Sequence, residues 1–448
     1  MVNPNIFKAY DIRGIYPQEI NGQTAYKIGQ AFVKFLCPSG QAKIAVGRDN
    51  RLSSPVLHKN LIKGLSGAGA LVFDFGLSPT PMLCWACAHY GYDGGINITA
   101  SHNPKEYNGF KLVREKAIPI GGDSGLQEIK NLTTSRFTAS KFIGKVIRKK
   151  VIQDYVKFSL SRTDFSKAKS LKIAVDTANA VPGILISELA RKVPYKIYHI
   201  FKELDGNFPN HPPNPLIEEN LKSLCYEVKK RKADLGIAFD GDGDRIFFVD
   251  EKNKIVPSDI LASLLSELIL KEKPGSKILY DVRCGRIIEE IIENNGGLAV
   301  IWKVGHAFIK EKMRKENIVF GAEFSGHFYL KDYYFCEAPL FILSKIIEAI
   351  SKSGKTFSQL LRPYYKYYHS GEINFEVEDK FGKIKELKKR FSSGKILEID
   401  GLRIDFKDWW FSVRSSNTES LLRLVLEADT EELLNQKKKE LTTLISDT

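Results

Sequence analysis

The 448-residue chain has no long hydrophobic run and few cysteines. Its most apolar stretch, Ile260 to Leu270, is interrupted by polar residues and falls short of the ~20 apolar residues of a membrane span. The first residues, Met1 to Pro4, contain neither the basic nor the apolar segment of a secretory signal. We therefore expect a cytoplasmic protein that does not associate with membranes.

The 6 cysteines are too scattered to form a disulfide framework. Cys84 and Cys87 have the spacing of a redox motif or half a zinc site, but no second cysteine pair completes a zinc site. The run 82–89 is typical of a helix, and we interpret both thiols as small apolar core groups.

Acidic residues are in deficit, with 53 Asp plus Glu against 67 Lys plus Arg, a net charge of +14. The basic excess lies in separate clusters at 145–150, 229–232, 383–390 and 437–439, most with acidic residues nearby. No zinc-finger, homeodomain or RNA-recognition motif accompanies them. We expect weak adhesion to polyanions at low salt and no specific nucleic-acid partner.

Strand-like runs alternate with amphipathic segments three times along the chain. The predicted strands are 42–47, 70–75, 171–176 and 277–281, and the predicted helices are 54–67, 183–193, 257–270 and 286–294. This spacing predicts mostly parallel strands covered by helices on both faces.

The C-terminal part has a different pattern. Residues 372–377 alternate with period two, which indicates a half-exposed antiparallel strand. We predict further strands at 402–405 and 410–414, and a helix from Thr430. The predicted fold is three tandem mixed α/β domains plus a smaller C-terminal α+β domain around a central cleft. Its domains are 1–145, 146–252, 253–368 and 369–448.

The run Asp240 to Arg245 places three carboxylates, separated by two glycines, directly after the predicted strand 235–239. Alternating carboxylates converge on a hard cation if the chain turns sharply, which glycine permits. A calcium EF-hand loop is excluded because Arg245 stands where that loop needs glycine. A surface turn rich in Asp and Gly is the alternative, but a metal site is the stronger interpretation.

Ser101 follows the apolar run Gly95 to Ile98, so it lies where a predicted strand gives way to a loop. A serine there can act as a covalent nucleophile, with His102 and Lys111 supplying proton transfer or charge. No Gly-x-Ser-x-Gly elbow is present, which excludes an α/β-hydrolase. An ordinary turn serine is the alternative.

Two further loops are dense in polar groups. The run Arg414 to Glu419 offers a guanidinium, hydroxyls and an amide, which suit a phosphate dianion. The run Gly321 to His327 spaces a carboxylate, a hydroxyl and an imidazole two residues apart, a pattern suited to sugar hydroxyls. Each could also be a polar turn.

Taken together, these stretches resemble the α-D-phosphohexomutase superfamily in order and spacing over nearly the whole chain. The resemblance is closest to its phosphomannomutase/phosphoglucomutase branch, and the runs Lys8 to Gly14 and Gly47 to Asp49 are similar to that family's first domain. Some turn residues depart from the family's usual glycines or proline: Ala178, Ala180, Ala322 and Ser420. These changes concern loop geometry and remove no chemical group.

The resemblance implies a role for particular residues. Ser101 would be the phosphorylated serine, and Ser101, Asp240, Asp242 and Asp244 would hold Mg²⁺. His102, Lys111, Arg13 and Arg245 would complete the catalytic set. The implied substrate contacts are Lys303, His306, Glu323, Ser325, His327, Arg414, Ser415, Ser416, Asn417 and Thr418.

The implied reaction moves phosphate between O1 and O6 of mannose or glucose phosphate, through phospho-Ser101 and a hexose 1,6-bisphosphate that is also the activator. His102 and Lys111 are rival proton carriers, and an orienting hydrogen bond is the other interpretation of His102. Phosphoglucosamine mutase is the alternative within the family, and a Mg²⁺-dependent sugar phosphatase is the alternative outside it. We expect a monomer or weak dimer whose partners are hexose phosphates.

Overall fold

The computed structural model describes residues 2–37, 41–135, 143–163, 171–415 and 421–446. By their contacts these residues form two compact units. The first comprises Met1–Val256 and Ser325–Gln359, and the second comprises Pro257–Phe324 and Leu360–Thr448. Each unit is described by itself.

The regular elements are numbered along the chain. The strands are β1 (Ile12–Ile15), β2 (Lys43–Arg48), β3 (Leu71–Leu77), β4 (Gly94–Ile98), β5 (Tyr107–Arg114), β6 (Val146–Arg148), β7 (Lys172–Asp176), β8 (Lys196–Ile200), β9 (Leu235–Phe239), β10 (Ile246–Asp250), β11 (Ile255–Val256), β12 (Lys277–Asp281), β13 (Leu298–Trp302), β14 (Phe320–Ala322), β15 (Phe328–Leu330), β16 (Cys336–Glu337), β17 (Tyr368–His369), β18 (Ile373–Glu376), β19 (Lys395–Leu397), β20 (Leu402–Asp405), β21 (Trp409–Ser415) and β22 (Leu421–Ala428). The helices are α1 (Gly22–Leu36), α2 (Ser54–Gly67), α3 (Thr80–His89), α4 (Leu126–Thr134), α5 (Ile152–Leu160), α6 (Gly183–Leu189), α7 (Lys222–Arg231), α8 (Ser258–Glu272), α9 (Arg286–Asn294), α10 (His306–Glu316), α11 (Pro339–Ser353), α12 (Phe357–Leu361), α13 (Lys380–Arg390) and α14 (Glu431–Ser446).

The first unit begins with a six-stranded sheet in the order β1-β5-β4-β2-β3-β6. Strands β4, β2, β3 and β6 run parallel, and β5 is antiparallel to both β4 and β1. Helices α1 and α2 bury Ile28, Phe32, Leu61 and Leu65 in the core of this domain. Gly64 permits their close approach, since a Cβ at this position would overlap the Tyr26 carbonyl.

The same unit contains a five-stranded sheet in the order β11-β10-β9-β7-β8. Strands β8, β7 and β9 are parallel, whereas β10 pairs antiparallel with β9, so residues 240–245 are the tight connection of a hairpin. The helix predicted at 183–193 ends early, at Leu189. Residues 190–192 form turns instead, in which the N–H groups of Arg191 and Lys192 donate to the carbonyls of Glu188 and Leu189. Pro194 disfavours helical conformation at Val193.

Residues 325–359 also belong to the first unit. Strands β15 and β16 form an antiparallel hairpin, and α11, which is largely buried, packs beside α5. Cys84 and Cys87 are buried in α3 within an apolar cluster, as predicted.

The second unit pairs β13, β12 and β14 in parallel, with α8 packed against α9 and β14. It ends in an antiparallel sheet in the order β17-β22-β21-β20-β19, with β18 also pairing with β22. The alternating strand predicted at 372–377 is β18, whose residues alternate in exposure, and the predicted closing helix is α14. No helix among the described residues is long and apolar enough to cross a bilayer.

Candidate active site

Ser101 lies in the loop that follows β4 and is 2% exposed. Its φ of 51° places it in the left-handed region, and its backbone N–H donates to Thr99 Oγ1 at 2.9 Å. The Ser101 hydroxyl donates to Asp240 Oδ2 at 2.8 Å and lies 3.2 Å from His102 Nδ1. The fold thus brings together the predicted nucleophile, the first predicted metal ligand and a candidate proton carrier.

The turn between β9 and β10 gathers the three aspartates. One carboxylate oxygen from each of Asp240, Asp242 and Asp244 lies within 4.8 Å of the others, and all three side chains are buried. Gly243 has a φ of 72°, and Asp240 Oδ1 accepts hydrogen bonds from the backbone N–H groups of Gly243 and Arg245. Oδ1 of Asp242 has no hydrogen-bond partner among the described residues.

These carboxylates fit a divalent cation. Burial, together with repulsion from Asp244 and Asp242, raises the pKa of Asp240 well above its usual range. A hard cation would remove that repulsion and occupy the unpaired oxygen of Asp242, and Mg²⁺ prefers such oxygen ligands. The carboxylates are therefore suited to a metal by charge as well as by spacing.

Lys111, on β5, bridges two of the aspartates. Its Nζ donates to Asp242 Oδ2 at 2.8 Å and to Asp244 Oδ2 at 2.5 Å. Burial disfavours the ammonium, but Asp242, Asp244 and Asp240 outweigh it and raise the pKa of Lys111 above its usual value. Lys111 is therefore a fixed positive charge at neutral pH.

His102 has the opposite electrostatic situation. Burial, followed by the positive charges of Arg245 and Arg13, holds the pKa of His102 well below its usual value. Its imidazole is therefore neutral at neutral pH, and the same causes make it a weak base. Of the two predicted proton carriers, Lys111 is held charged by the aspartates, whereas His102 is the one whose ring nitrogen lies 3.2 Å from Ser101 Oγ.

Arg245 and the segment after β14 complete this group within the first unit. Arg245 Nε lies 3.8 Å from Asp240 Oδ2 and donates to His327 Nε2 at 3.4 Å. His327 Nε2 is also 3.3 Å from Asp244 Oδ1, and Ser325 Oγ lies 2.9 Å from His327 Nδ1. Of these two predicted substrate contacts, His327 thus lies beside Asp244, and Ser325 contacts His327.

Arg13, on β1, is oriented toward the same loop. It forms an ion pair with Asp11, and its Nη1 donates to Asn103 Oδ1 at 2.6 Å. Arg13 therefore binds the Ser101 loop at Asn103, two residues after the predicted nucleophile.

The second unit holds most of the remaining predicted residues. Lys303 follows β13 with its Nζ 3.4 Å from the centre of the Phe308 ring, and His306 begins α10. Glu323 is buried, and its Oε2 lies 3.6 Å from Arg283 Nη2. Arg283 is itself paired with Asp281 at 2.6 Å.

Arg414, near the end of β21, belongs to a cluster of arginines around one carboxylate. Glu372 accepts from Arg414 at 3.2 Å and from Arg423 at 3.1 Å, and lies 3.6 Å from Arg283. Because Arg283 also pairs with Asp281 and Glu323, the charges of this cluster balance. Arg414 nevertheless offers an anion a guanidinium that can donate charge-assisted hydrogen bonds. Ser415 ends β21, whereas the predicted contacts Ser416, Asn417 and Thr418 lie outside the described residues.

Several polar residues of these groups were missed by sequence reasoning. Thr80 Oγ1 donates to Asp242 Oδ2 at 2.5 Å and accepts from Asn97 Nδ2 at 2.8 Å. The others are Arg51, Arg283 and Glu372. Thr80 carried a usable signal, since it follows Pro79 directly after an apolar strand, where a helix begins. Glu372 carried none, because its partners come from distant parts of the chain.

Comparison with known proteins supports the predicted family over nearly the whole chain. Four family models match: phosphoglucomutase/phosphomannomutase alpha/beta/alpha domain I over residues 4–139, domain II over 153–253, domain III over 257–368, and the C-terminal domain over 372–444. These matches confirm the predicted class of three α/β domains followed by a C-terminal domain.

Individual relatives match over nearly their full length. A phosphomannomutase of Methanocaldococcus jannaschii is 41% identical over 98% of this chain and 97% of its own. A protein of Xanthomonas campestris named phosphohexose mutases is 39% identical, covering 98% of both chains. The crystal structure of a phosphoglucomutase/phosphomannomutase family protein from Burkholderia thailandensis superposes with a TM-score of 0.91 at 32% identity, covering 99% of this chain and 97% of that one.

The predicted family is thereby confirmed by sequence, by domain order and by fold. The site geometry agrees with it, since a buried serine, three aspartates, a lysine and an arginine converge in the first unit. This chain belongs to the phosphoglucomutase/phosphomannomutase family of hexose phosphate mutases.

Proposed function

We propose that this protein interconverts hexose 1-phosphates and hexose 6-phosphates, with mannose and glucose as the sugars, through a phosphorylated Ser101. One observation carries the proposal: the Ser101 hydroxyl lies 2.8 Å from Asp240 in a group of three buried carboxylates that fits a divalent cation. A nucleophile beside such a group suits phosphoryl transfer, which depends on positioning and charge neutralisation.

Each half-reaction exchanges a phosphoryl group for a proton between Ser101 Oγ and a sugar hydroxyl. Phospho-Ser101 donates to the free hydroxyl of the hexose phosphate, and the resulting hexose 1,6-bisphosphate returns its other phosphate to Ser101. The 3.2 Å distance between Ser101 Oγ and His102 Nδ1 supports His102 as the group that carries the proton.

The charge of the transferring phosphoryl group needs several partners. Mg²⁺ held by Asp240, Asp242, Asp244 and Ser101 would neutralise part of this charge. Lys111 and Arg245 are placed beside the aspartates, and Arg13 binds the Ser101 loop, so we assign all three to electrostatic stabilisation. The two ion pairs of the largely buried Lys111 with Asp242 and Asp244 are the strongest support for this assignment.

We assign recognition of the sugar and its second phosphate to two sets of residues. Lys303, His306, Glu323, Ser325 and His327 would contact the sugar phosphate. Arg414 and Ser415, with Ser416, Asn417 and Thr418, would bind the phosphate that is not reacting. A guanidinium recognises a charge independently of the ring orientation, which a bisphosphate that returns either phosphate to Ser101 requires.

Phosphorus NMR tests the proposal directly. Glucose, mannose and glucosamine 1-phosphates are each incubated with the protein, Mg²⁺ and a trace of the matching 1,6-bisphosphate. We expect the 6-phosphate signal to appear from glucose and mannose and only slowly from glucosamine. The same assay on Ser101→Ala should show no conversion, whereas Ser66→Ala, a change in a distant helix, should behave like the wild type.

Other outcomes contradict specific parts of the proposal. Fast conversion of the glucosamine phosphate alone would assign the protein to amino sugars. Release of inorganic phosphate without a 6-phosphate would indicate a phosphatase. Full activity of Ser101→Ala would remove Ser101 as the nucleophile.

A further inference from the structure

Arg51, in the turn between β2 and α2, is completely buried. Its side chain uses every N–H it has. Nε donates to Asp49 Oδ2 at 3.1 Å. Nη1 donates to the carbonyls of Pro104 and Tyr107 at 2.6 and 3.2 Å, and Nη2 donates to the carbonyls of Ser101 and Asn103 at 2.8 and 2.7 Å. Four of its bonds therefore go to the backbone of the loop that carries Ser101.

The guanidinium is itself held in place. Asp49 supplies the counter-charge. Its Oδ1 accepts from the backbone N–H of Arg51 at 3.0 Å and from Ser54 Oγ at 2.5 Å. The ring of Phe208 lies 5.2 Å from the Arg51 guanidinium carbon. A buried guanidinium with a fixed counter-ion and no vacant donor has one available orientation.

That orientation fixes the backbone at Ser101. The left-handed φ of 51° costs a non-glycine residue roughly 1–2 kcal/mol and persists only if neighbouring groups hold it. The Ser101 carbonyl is held by Arg51 Nη2, and the Cα of Gly241 lies so close to it that a Cβ there would overlap the oxygen. With the carbonyl fixed, Ser101 Oγ is directed to Asp240.

We propose that Arg51 is the positioning residue of phosphoryl transfer: it holds the Ser101 loop so that Oγ stays at Asp240, without touching the substrate. This inference rests on the proposed function for its effect on rate, but its effect on the loop is independent of any activity. Lysine cannot replace it, since an ammonium has three tetrahedral donors, whereas the five acceptors here are arranged around a planar guanidinium.

The test compares Arg51→Lys with Arg48→Lys, the same change three residues earlier. Arg48 donates to the Asp49 carbonyl, and none of its described hydrogen bonds reaches the Ser101 loop. We expect Arg51→Lys to lower kcat by about 100-fold, the typical cost of a misplaced reacting group, with KM for the hexose 1-phosphate within about threefold. Arg48→Lys should keep both parameters close to those of the wild type.

Amide hydrogen exchange, measured without substrate, tests the loop separately. The N–H groups of Asn103 and Tyr107 donate to the carbonyls of Ala100 and Pro104. Both amides should exchange faster in Arg51→Lys than in the wild type, and their exchange rates in Arg48→Lys should be unchanged. If the wild type is inactive on every sugar phosphate, the proposed function is wrong. The exchange rates would still decide whether Arg51 holds the Ser101 loop.

The inference is overturned if folded Arg51→Lys keeps kcat within about threefold of the wild type and its loop amides exchange at wild-type rates. If Arg51→Lys does not fold, Asp49→Asn is measured instead. That change removes the counter-charge but keeps Arg51, and we expect a smaller loss of kcat with the same faster exchange. Wild-type values for both readouts in Asp49→Asn would equally overturn the inference.

Discussion

At the scale of single residues, Gly241 lies where any side chain would disturb the nucleophile. A Cβ at this position would overlap the Ser101 carbonyl. We expect Gly241→Ala to shift the Ser101 loop and lower kcat by about 100-fold while the protein stays folded. Gly67→Ala is the control, because a Cβ there meets nothing closer than the Tyr26 hydroxyl at 3.9 Å. Equal steady-state rates for the two variants would contradict the steric argument.

Asp242 Oδ1, like Asp244 Oδ1, has no hydrogen-bond partner among the described residues. Asp242→Asn keeps the shape of the side chain but removes its charge, so we expect the Mg²⁺ concentration for half-maximal activity to rise more than about tenfold. The exposed Asp93, which accepts from the Lys43 N–H, provides Asp93→Asn as control. An unchanged metal titration in Asp242→Asn would exclude Asp242 as a ligand.

His199, on β8, is a half-buried histidine outside the active site whose ionisation opposes folding. Burial, followed by repulsion from Lys202, lowers the pKa of His199 to about 4, and its Nε2 lies 2.8 Å from Thr177 Oγ1. The unfolded chain takes up this proton near pH 6.5, whereas the folded protein takes it up only near pH 4. The contribution of the neutral His199 to the free energy of unfolding is therefore complete above about pH 6.5 and is lost as the pH falls toward about 4.

Thermal unfolding of the wild type and His199→Gln measures this contribution. As the pH falls from about 6.5 to about 4, we expect the Tm of the wild type to fall more steeply, because glutamine does not titrate. Parallel Tm curves over that range would contradict the assignment.

At the scale of elements, the turn after β7 shows what the departures from the family's glycines do. Ala178 and Asn179 both adopt left-handed backbone, with φ of 50° and 58°. Ala180 has no positive φ, and both alanines are buried. Glycine at 178 would relieve strain that glycine at 180 would not, although each change loses one buried methyl group.

We expect Ala178→Gly to have a free energy of unfolding about 1–2 kcal/mol higher than that of Ala180→Gly. Urea denaturation of the two variants measures the difference, and the shared loss of a methyl group cancels in the comparison. Equal free energies, or a less stable Ala178→Gly, would show that the left-handed turn stores no strain.

The sequence was most informative about elements with strong local patterns. The helices predicted at 54–67 and 286–294 and the strand predicted at 277–281 have the bounds found in the structure. The helix predicted at 183–193 is too long, since residues 190–192 form turns and Pro194 disfavours helical conformation at Val193. Local pattern also located the aspartate turn, but not that it closes an antiparallel hairpin. Both strands are buried at every position and lack the alternation that is typical of antiparallel strands.

At the scale of the whole molecule, the order of motifs identified the family, while the partners of each motif were out of reach. Thr80, Arg51 and Glu372 act through residues from distant parts of the chain. The loop Gly321 to His327 was treated as one substrate-binding motif. In the structure Glu323 lies near Arg283, whereas His327 lies beside Asp244 and Ser325 contacts His327.

Some predictions about the whole molecule stay predictions. They are the three domain boundaries, the identity of the metal as Mg²⁺, the monomer or weak dimer, the cytoplasmic location and the lack of a specific nucleic-acid partner. The roles of individual site residues are likewise proposals, supported by the distances and charges described above.

The central claim is that one phosphoryl group passes through Ser101. The most direct measurement is intact-mass analysis of the wild type and Ser101→Ala after brief mixing with glucose 1,6-bisphosphate and Mg²⁺, with peptide mapping of the modified site. We expect the wild type to gain one phosphoryl group at Ser101 and to lose it when glucose 1-phosphate is added, which then appears as the bisphosphate. We expect no phosphorylation of Ser101→Ala. Phosphate on another residue, or turnover by Ser101→Ala, would contradict the account.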